Sequence, residues 1–248
     1  MPRGHLNEKH VQREAVQWLT AYYQQRTDVQ ASVAEIEVVI RSTSKLGSGR
    51  ADGLVVSQLQ NGTIYTAAVE AKSIRTMSNI RQRYRNEPWV GHALLAGGVS
   101  LVLVGVVCWF VGTGLWLWVL PLIAFLGGGA AYLFLMSEHR LYRTIDVIKQ
   151  VKRYPAHEQW IALSTDAYNR LARVVQTAFR EECRREGIGL LHVRSRQQSA
   201  VVELPRPHPV PKGQADFLAC YVRGDQIRQT LQDKVETFAQ APSSIPHL

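Results

Sequence analysis

Three charged residues, Asp52, Glu70 and Lys72, have the types and the order that hydrolysis of a phosphodiester requires. Glu70 and Lys72 end the apolar, β-prone run 63–72. Residues two apart in a strand project from the same face, so this carboxylate and this ammonium share one volume at the strand end. Asp52 begins another apolar run upstream. Two acids can hold a divalent metal ion and a lysine can position or deprotonate a water. The simpler alternative is that Glu70 and Lys72 form only an ion pair.

Asp52, followed after a hairpin by Glu70-Ala71-Lys72, resembles the active-site motif of the PD-(D/E)xK nucleases. These form the restriction-endonuclease-like superfamily, which includes archaeal Holliday-junction resolvases. Ala51 stands where that motif has a proline. The resemblance implies a metal-dependent hydrolase of phosphodiester bonds, with DNA as the expected substrate and endonuclease action as the expected reaction. It also implies Mg²⁺ or Mn²⁺ bound by Asp52, Glu70 and the Ala71 carbonyl, with Lys72 acting on the attacking water.

The first predicted helix, at about 7–25, supplies another expected metal contact. Its apolar residues recur at helical spacing, and Glu14 lies between Val11 and Trp18 on the predicted inward side. Glu8 falls in the first turn, where the helix dipole alone favours an acid. The resembled family often carries a glutamate on its first helix that reaches the metal, and Glu14 is the expected equivalent. An ordinary glutamate at the helix edge is the alternative.

Gln150 and Tyr154 lie four residues apart on a second predicted helix, 141–154, and therefore share a face. The pair resembles the Gln-x-x-x-Tyr motif that supports the active site in some nucleases of the superfamily. A chance spacing is the alternative.

The glycine-rich loop 41–50 is either a flexible hairpin or a phosphate contact through its amides and Lys45 or Arg50.

The turn between the second and third strands determines the direction of the Asp52 side chain. A two-residue loop, Asn61-Gly62, would turn Asp52 away from Glu70. A three-residue loop, Gln60-Asn61-Gly62 with a left-handed Gly62, places Asp52 directly opposite Glu70. A shared metal site needs the second arrangement, so we predict the three-residue loop.

Residues 88–137 contain no Asp, Glu, Lys or Arg, and this stretch is long enough for two membrane spans. A hydrocarbon layer of ~30 Å needs about 20 residues for each helix. We predict spans at about 92–111 and 115–136, and a buried hairpin in a soluble protein is the alternative. Basic residues flank both ends of the hairpin, so the positive-inside rule predicts that both termini are cytoplasmic.

The predicted elements alternate in a manner typical of an α/β protein. Further strands are expected at 159–163, 188–193 and 200–204, with a helix between the first two of these that is capped by Asp166 and ends at Gly187. With the resemblance, this order is the α-β-β-β-α-β core of the restriction-endonuclease-like fold with a mixed sheet, interrupted by a transmembrane hairpin. The expected parts are 1–87 and 138–204 for the nuclease-like domain, 88–137 for the hairpin, and 205–248 for a Pro-rich linker and an amphipathic helix. That helix either docks on the domain or binds a partner.

Charge and cysteine content limit the expected surroundings. The 248 residues carry a formal net charge of +9, which suits a polyanion or an anionic membrane surface. The three cysteines are far apart, which favours a reducing compartment over a metal site. We therefore expect a protein of the cytoplasmic membrane of a prokaryote, with nucleic acid and the lipid around 88–137 as partners, and a homodimer is compatible with this interpretation. The rival interpretation is a catalytically silent nuclease-fold protein that binds nucleic acid or a protein partner at the membrane.

Overall fold

The computed structural model describes residues 6–41, 49–76, 82–84, 86–112, 114, 116–136, 143–194, 199–212 and 215–240. The chain divides into two compact units. The first unit comprises Met1–Ile80 and Val147–Leu248, and the second comprises Arg81–Asp146. The protein is an α/β protein with a mixed six-stranded sheet in the first unit and two long apolar helices in the second.

The elements follow the predicted alternation of helices and strands. In chain order they are α1 (Glu8–Gln24), β1 (Val29–Val39), β2 (Arg50–Leu59), β3 (Ile64–Lys72), β4 (Gln82–Tyr84), α2 (Asn86–Val111), α3 (Trp116–Met136), β5 (Arg143–Ile145), α4 (Asp146–Val151), β6 (Glu158–Ser164), α5 (Thr165–Arg170), α6 (Arg173–Glu186), β7 (Gly189–Val193), β8 (Ser199–Glu203) and α7 (Gly224–Gln240). The large sheet has the order β1-β2-β3-β6-β7-β8. β3, β6 and β7 are parallel neighbours, and the other neighbours are antiparallel.

The loop between β2 and β3 confirms the predicted register. Leu59 N donates to Thr63 O at 2.9 Å, so three residues form the loop, and Gly62 has a φ of 79°. The ladder pairs Gly53 with Val69 and runs without a shift to Gln58 and Ile64. Continued by one residue, this register places Asp52 opposite Glu70.

Helix α1 covers one face of the sheet. The core on that face joins α1 to alternate residues of the strands, among them Val55 of β2, Val69 of β3, Trp160 of β6 and Leu191 of β7. Since side chains alternate along a strand, Glu70 and Lys72 project from the opposite face. Burying apolar side chains at about 25 cal/mol per Å² is the main stabilisation of such a layer.

The helices after the second unit differ from the prediction. Residues 141 and 142 of the expected helix 141–154 lie outside the described residues. The rest is a short strand, β5, followed by α4, because Arg143–Ile145 pairs with β4. The expected helix that ends at Gly187 is interrupted, since Leu171 is extended with ψ 131°. Its predicted cap was wrong: Ser164 is the N-cap and its Oγ accepts from Ala167 N at 3.2 Å. Gly187 ends α6 in the left-handed conformation with φ 72°, as predicted.

The second unit contains the two apolar helices and the ribbon formed by β4 and β5. The stretches Val90–Val111 and Trp118–Leu135 are long and apolar enough to cross a membrane. Only 11% of the first stretch and 6% of the second is buried. Gly97 allows a close approach of the two helices, since a Cβ there would lie 2.7 Å from the Phe125 carbonyl oxygen.

The C-terminal part packs on the first unit. Helix α7 lies against β1 and β2, and it buries Ile227 and Leu231. The proline-rich segment is also tied to the domain, because Arg206 N donates to Gly187 O at 2.8 Å and His208 N to His157 O at 2.6 Å. Of the two alternatives for the C-terminal helix, the structure shows docking on the domain.

Candidate active site

Glu70 is the centre of a buried polar cluster at the carboxyl end of β3. Its Oε1 accepts hydrogen bonds from Lys72 Nζ and from Gln150 Nε2, the latter at 2.7 Å. Its Oε2 accepts a hydrogen bond from Tyr154 Oη. Gln150 Nε2 also lies 3.0 Å from Tyr154 Oη. The Glu70 side chain is 1% exposed and the Lys72 side chain 6%, so water contributes little to this cluster.

Helix α4 and the turn after it position Gln150 and Tyr154. α4 buries Val147, Ile148 and Val151, which leaves Gln150 at the border of the buried surface. A backbone bond from Tyr154 N to Val151 O at 2.9 Å continues the helical turn as far as Tyr154. The tyrosine therefore stays close to Gln150 although α4 has ended.

Burial raises the pKa of Tyr154 far above its usual range, and the Glu70 carboxylate raises it further. Tyr154 consequently remains a hydrogen-bond donor to Glu70. This tyrosine and Gln150 together fix the orientation of the Glu70 carboxylate.

Asp52 is the second acid of this cluster. Its Oδ2 accepts from Ala71 N at 2.8 Å, which links it to the residue between Glu70 and Lys72. Burial raises the pKa of Asp52 from 3.8 to about 6, and the charge of Glu70 contributes in the same direction. The Ala71 amide and the Lys72 ammonium oppose this rise in pKa. A carboxyl group whose pKa is raised by burial and by a neighbouring carboxylate is typical of a functional site.

The expected contact of Glu14 with a metal ion stays a prediction, and a different residue of the first helix contacts Asp52. Glu14 lies 3.9 Å from His10, and no contact of Glu14 with Asp52 occurs among the residues that the structure describes. Instead, Gln12 Nε2 donates to the Asp52 carbonyl oxygen. The charge of Glu8 also helps to raise the pKa of Asp52.

A rotation of α1 about its axis explains this difference. The buried residues are Val11, Gln12, Ala15, Val16, Leu19 and Tyr23, whereas Trp18 and Tyr22 are only partly buried. Gln12 falls on the stripe formed with Val16, Leu19 and Tyr23, so its place in that stripe was the signal in the sequence. Glu14 lies beside Trp18, at the edge of the buried surface.

The donor set fits one Mg²⁺ or Mn²⁺ ion. Mg²⁺ is commonly held by only one or two carboxylates, with waters and substrate phosphates completing its shell. Asp52 Oδ1 makes no hydrogen bond within the described ranges, and Glu70 uses three of its roughly four acceptor positions. Among the described residues there is no group of three or more His, Cys, Asp or Glu side chains that could hold a metal. The fit therefore depends on two carboxylates alone.

Of the expected phosphate contacts in the loop 41–50, Lys45 lies outside the described residues. Arg50 is described, and its guanidinium lies 3.5 Å from the Glu37 carboxylate. The neighbouring backbone is unusual, because Glu37 has a φ of 57°. Glu37 stands opposite Asp52 in the register that pairs Ile36 with Gly53 and Val38 with Ala51.

A second buried acid, Glu158, lies at the start of β6, away from this cluster. It accepts hydrogen bonds from Tyr23 and from Tyr65, the latter at 2.7 Å, and Arg26 lies 4.0 Å away. Trp160 Nε1 donates to Tyr23 Oη at 3.0 Å. Because its partners already satisfy it, Glu158 reads as a structural residue rather than a second site.

Comparison with protein-family models, with curated proteins and with solved structures finds no significant match for this chain. The argument for function therefore depends on the candidate active site itself. That site consists of Asp52, Glu70, Lys72, Gln150 and Tyr154, which the fold brings together from three separate stretches of the sequence.

Proposed function

We propose that the protein is a membrane-anchored, metal-dependent nuclease of the PD-(D/E)xK type that hydrolyses DNA. The observation that carries the proposal is the arrangement around Glu70. Lys72, Gln150 and Tyr154 all donate to its carboxylate, and Asp52 on the neighbouring strand accepts from the amide of Ala71, the residue after Glu70. The motifs that predict these five residues lie in three separate stretches of the sequence, so their assembly around one carboxylate supports the proposal.

The proposed reaction is hydrolysis of a phosphodiester by water. Asp52 and Glu70 would hold Mg²⁺ or Mn²⁺, with the Ala71 carbonyl as the third protein ligand implied by the resemblance. The bound ion would supply Lewis-acid stabilisation of the phosphate charge and lower the pKa of a bound water. Lys72 would orient the attacking water or stabilise negative charge that develops on the phosphate. Tyr154 and Gln150 would keep the Glu70 carboxylate in its orientation throughout the reaction.

A purely structural role explains the Lys72–Glu70 pair less well. Removing two charges from water costs several kcal/mol for each ion, so a buried ion pair contributes little net stability compared with apolar residues of similar size. Here the pair lies at a strand end with Asp52 beside it, and the pKa of Asp52 is raised by burial and by the charge of Glu70. A pKa perturbed by burial together with a specific charged neighbour is typical of functional sites.

The order of elements supports the same proposal. Apart from the second unit, the α-β-β-β-α-β order of the restriction-endonuclease-like core is matched by α1, β1 to β3, α4 and β6. The α5 and α6 pair and then β7 follow these six elements. The second unit would be the membrane anchor, with α2 and α3 as its two spans. Basic residues flank both ends of this hairpin. By the positive-inside rule they support a nuclease domain and termini that face the cytoplasm, and we propose the cytoplasmic membrane of a prokaryote as the location.

The test is cleavage of DNA by the detergent-solubilised full-length protein. Linear DNA, circular DNA and RNA are each incubated with Mg²⁺ and, separately, with EDTA. We expect Mg²⁺-dependent cleavage that Asp52→Asn abolishes, and cutting of the circle would show endonuclease action. Binding of DNA without cleavage in Mg²⁺ or Mn²⁺ would reject the nuclease and leave the silent nuclease-fold protein as the explanation.

A further inference from the structure

Two exposed arginines lie just beyond the carboxyl ends of parallel strands in the large sheet. Arg75 is three residues after Lys72, the last residue of β3, and Arg194 directly follows β7. A turn keeps Arg75 near its strand, because Ser73 N donates to Thr76 Oγ1 at 3.1 Å and Thr76 N donates to Ser73 O at 3.1 Å. Both arginines therefore lie at the carboxyl ends of the parallel strands, where the candidate active site also lies.

No acid neutralises these two arginines in the described part of the chain, where neither forms an ion pair or a hydrogen bond. Many arginines elsewhere pair with carboxylates, among them Arg41, Arg180, Arg184, Arg223 and Arg228. Other exposed cations, such as Arg13, also lack an acid partner within the described ranges. What distinguishes Arg75 and Arg194 is their common position beside the site.

The register places the two strand ends at one level. Lys72 pairs with Leu163 of β6, and Leu163 pairs with His192 of β7. Neighbouring strands are about 4.8 Å apart, so the ends of β3 and β7 are separated by about 10 Å. The pKa of His192 is lowered by burial and then by the charge of Arg194, which indicates that the Arg194 guanidinium stays close to this end of β7.

We propose that Arg75 and Arg194 bind backbone phosphates of a nucleic-acid strand that lies across the carboxyl ends of β3, β6 and β7. This inference rests on the proposed nuclease function and adds contacts beyond the cleaved phosphate. One DNA strand advances about 3.4 Å per nucleotide, so 10 Å corresponds to about three nucleotides. Arg75 contacts a phosphate beside the cleaved one, and Arg194 contacts a phosphate about three nucleotides away. Such contacts fix position without reading the bases.

Continuity with the candidate active site favours a nucleic acid over an anionic lipid surface as the partner. A nucleic-acid strand held at Asp52 and Glu70 must continue past these residues. The carboxyl ends of β6 and β7 are the adjacent surface. A lipid surface has no need of carboxylates at its binding site, since they repel anionic headgroups. Lipid headgroups and DNA phosphates nevertheless attract arginine in the same way, so the experiment includes both.

The test measures the salt dependence of DNA binding by the full-length protein in detergent, in EDTA so that binding is separated from cleavage. Each phosphate contact contributes about 0.9 to the slope of log affinity against log salt. We expect Arg75→Gln and Arg194→Gln each to make the slope shallower by about 0.9, and the double variant by about 1.8. The matched control is Arg223→Gln, which removes the same charge from an arginine paired with Glu35 at 2.8 Å, and its slope should equal that of the wild type.

The lipid alternative is tested with the same variants in zwitterionic nanodiscs, mixed with phosphatidylcholine vesicles with and without phosphatidylglycerol. Unchanged DNA slopes in both variants would overturn the inference, and so would a loss confined to binding of the anionic vesicles. Cleavage by the wild type together with unchanged slopes would overturn only these contacts. Changed slopes without cleavage would support the contacts and reject the nuclease. A wild type that neither binds nor cleaves DNA would overturn both.

Discussion

At the scale of single residues, the two acids of the candidate active site have different environments. Glu70 is surrounded by donors and is nearly inaccessible to water, whereas Asp52 is partly exposed and has one carboxylate oxygen without a hydrogen bond in the described part of the chain. For the proposed metal site, we therefore expect Glu70 to be a ligand of fixed orientation and Asp52 to be a ligand that exchanges readily. This difference leads to separable effects for variants of Asp52 and Lys72.

Asp52→Asn and Lys72→Ala should divide metal binding from cleavage. Asp52→Asn removes one of two carboxylates, so both Mn²⁺ affinity and cleavage should fall. Lys72→Ala removes a positive charge that competes with the cation, so Mn²⁺ binding should be retained or tightened, while cleavage drops ~10²-fold or more. Calorimetric titration with Mn²⁺ and cleavage assays measure the two effects. The proposed site is falsified if Asp52→Asn binds Mn²⁺ as the wild type does.

The raised pKa of Asp52 predicts how the stability of the metal-free protein depends on pH. The pKa is about 6 in the folded protein and 3.8 ordinarily, so between these values the folded state binds more protons than the unfolded state. The contribution of Asp52 to the free energy of unfolding therefore falls as pH rises through this window. Thermal denaturation in EDTA should show that the wild type loses stability relative to Asp52→Asn as the pH rises from about 4 to about 7. This pH range follows from the two pKa values of Asp52.

Mg²⁺ supplies the control for this pH effect. At neutral pH it should raise the melting temperature of the wild type, because a cation relieves the repulsion between the carboxylates, and it should raise that of Asp52→Asn less. Parallel pH profiles for the two proteins would show that Asp52 does not titrate in this window.

The sequence predicted most of the candidate active site, because the spacing of Asp52, Glu70 and Lys72 in strands and of Gln150 and Tyr154 in a helical turn fixes which side chains share a face. It missed Gln12. Which polar residue of an amphipathic helix reaches a site depends on the rotation of the helix, and large aromatic residues at the edge of its buried stripe made that rotation hard to judge. Because Trp18 and Tyr22 are large and aromatic, the predicted buried face of α1 was centred on them and excluded Gln12, although both are only partly buried.

At the scale of elements, the irregular point of β1 lies opposite Asp52 of the candidate site. Glu37 adopts a left-handed conformation opposite Asp52, and residues in such conformations cost of order 1–3 kcal/mol and collect at functional sites. The sequence gives no signal for this irregularity, because Glu37 lies within a β-branched run that reads as a regular strand. In contrast, the Asn61-Gly62 turn carried enough information to fix the register, since Gly62 supplies the left-handed residue of a three-residue loop.

Two substitutions at Glu37 isolate the backbone strain. Both Glu37→Gly and Glu37→Ala remove the ion pair with Arg50, but only glycine adopts a φ of 57° without strain. Glu37→Gly should therefore be more stable than Glu37→Ala by about 1 kcal/mol in denaturant titrations of the detergent-solubilised protein. Equal stability of the two variants would mean that this residue carries no strain.

At the scale of the whole molecule, the sequence predicted an α/β protein with a pair of apolar helices, and the structure shows both. The sequence described the C-terminal part less well, because a proline-rich stretch before an amphipathic helix resembles a linker in sequence. The packing of α7 on β1 and β2 depends on contacts that short-range patterns do not encode. Lys234 of α7 also donates to Ser32 O of β1 at 2.8 Å, which adds a polar contact to the buried face of the helix.

The division into two units predicts that the first unit folds without the apolar hairpin. Deleting residues 88–137 and joining the ends with a short Gly/Ser linker keeps β4 and β5, which pair in antiparallel fashion and so hold the two ends of the deletion together. Within the described ranges, the core cluster beneath α1 includes no residue of the deleted stretch. The variant should therefore be soluble without detergent, monodisperse in gel filtration and similar to the full-length protein in Mn²⁺ affinity. Its circular dichroism should lose helical signal in proportion to α2 and α3 alone.

A second deletion, of residues 224–248, provides the contrast, because it removes α7 and exposes β1 and β2; it should aggregate or melt at a lower temperature. If the hairpin deletion is insoluble or unfolded while the α7 deletion is not, then the hairpin belongs to the core, and α7 is the dispensable addition.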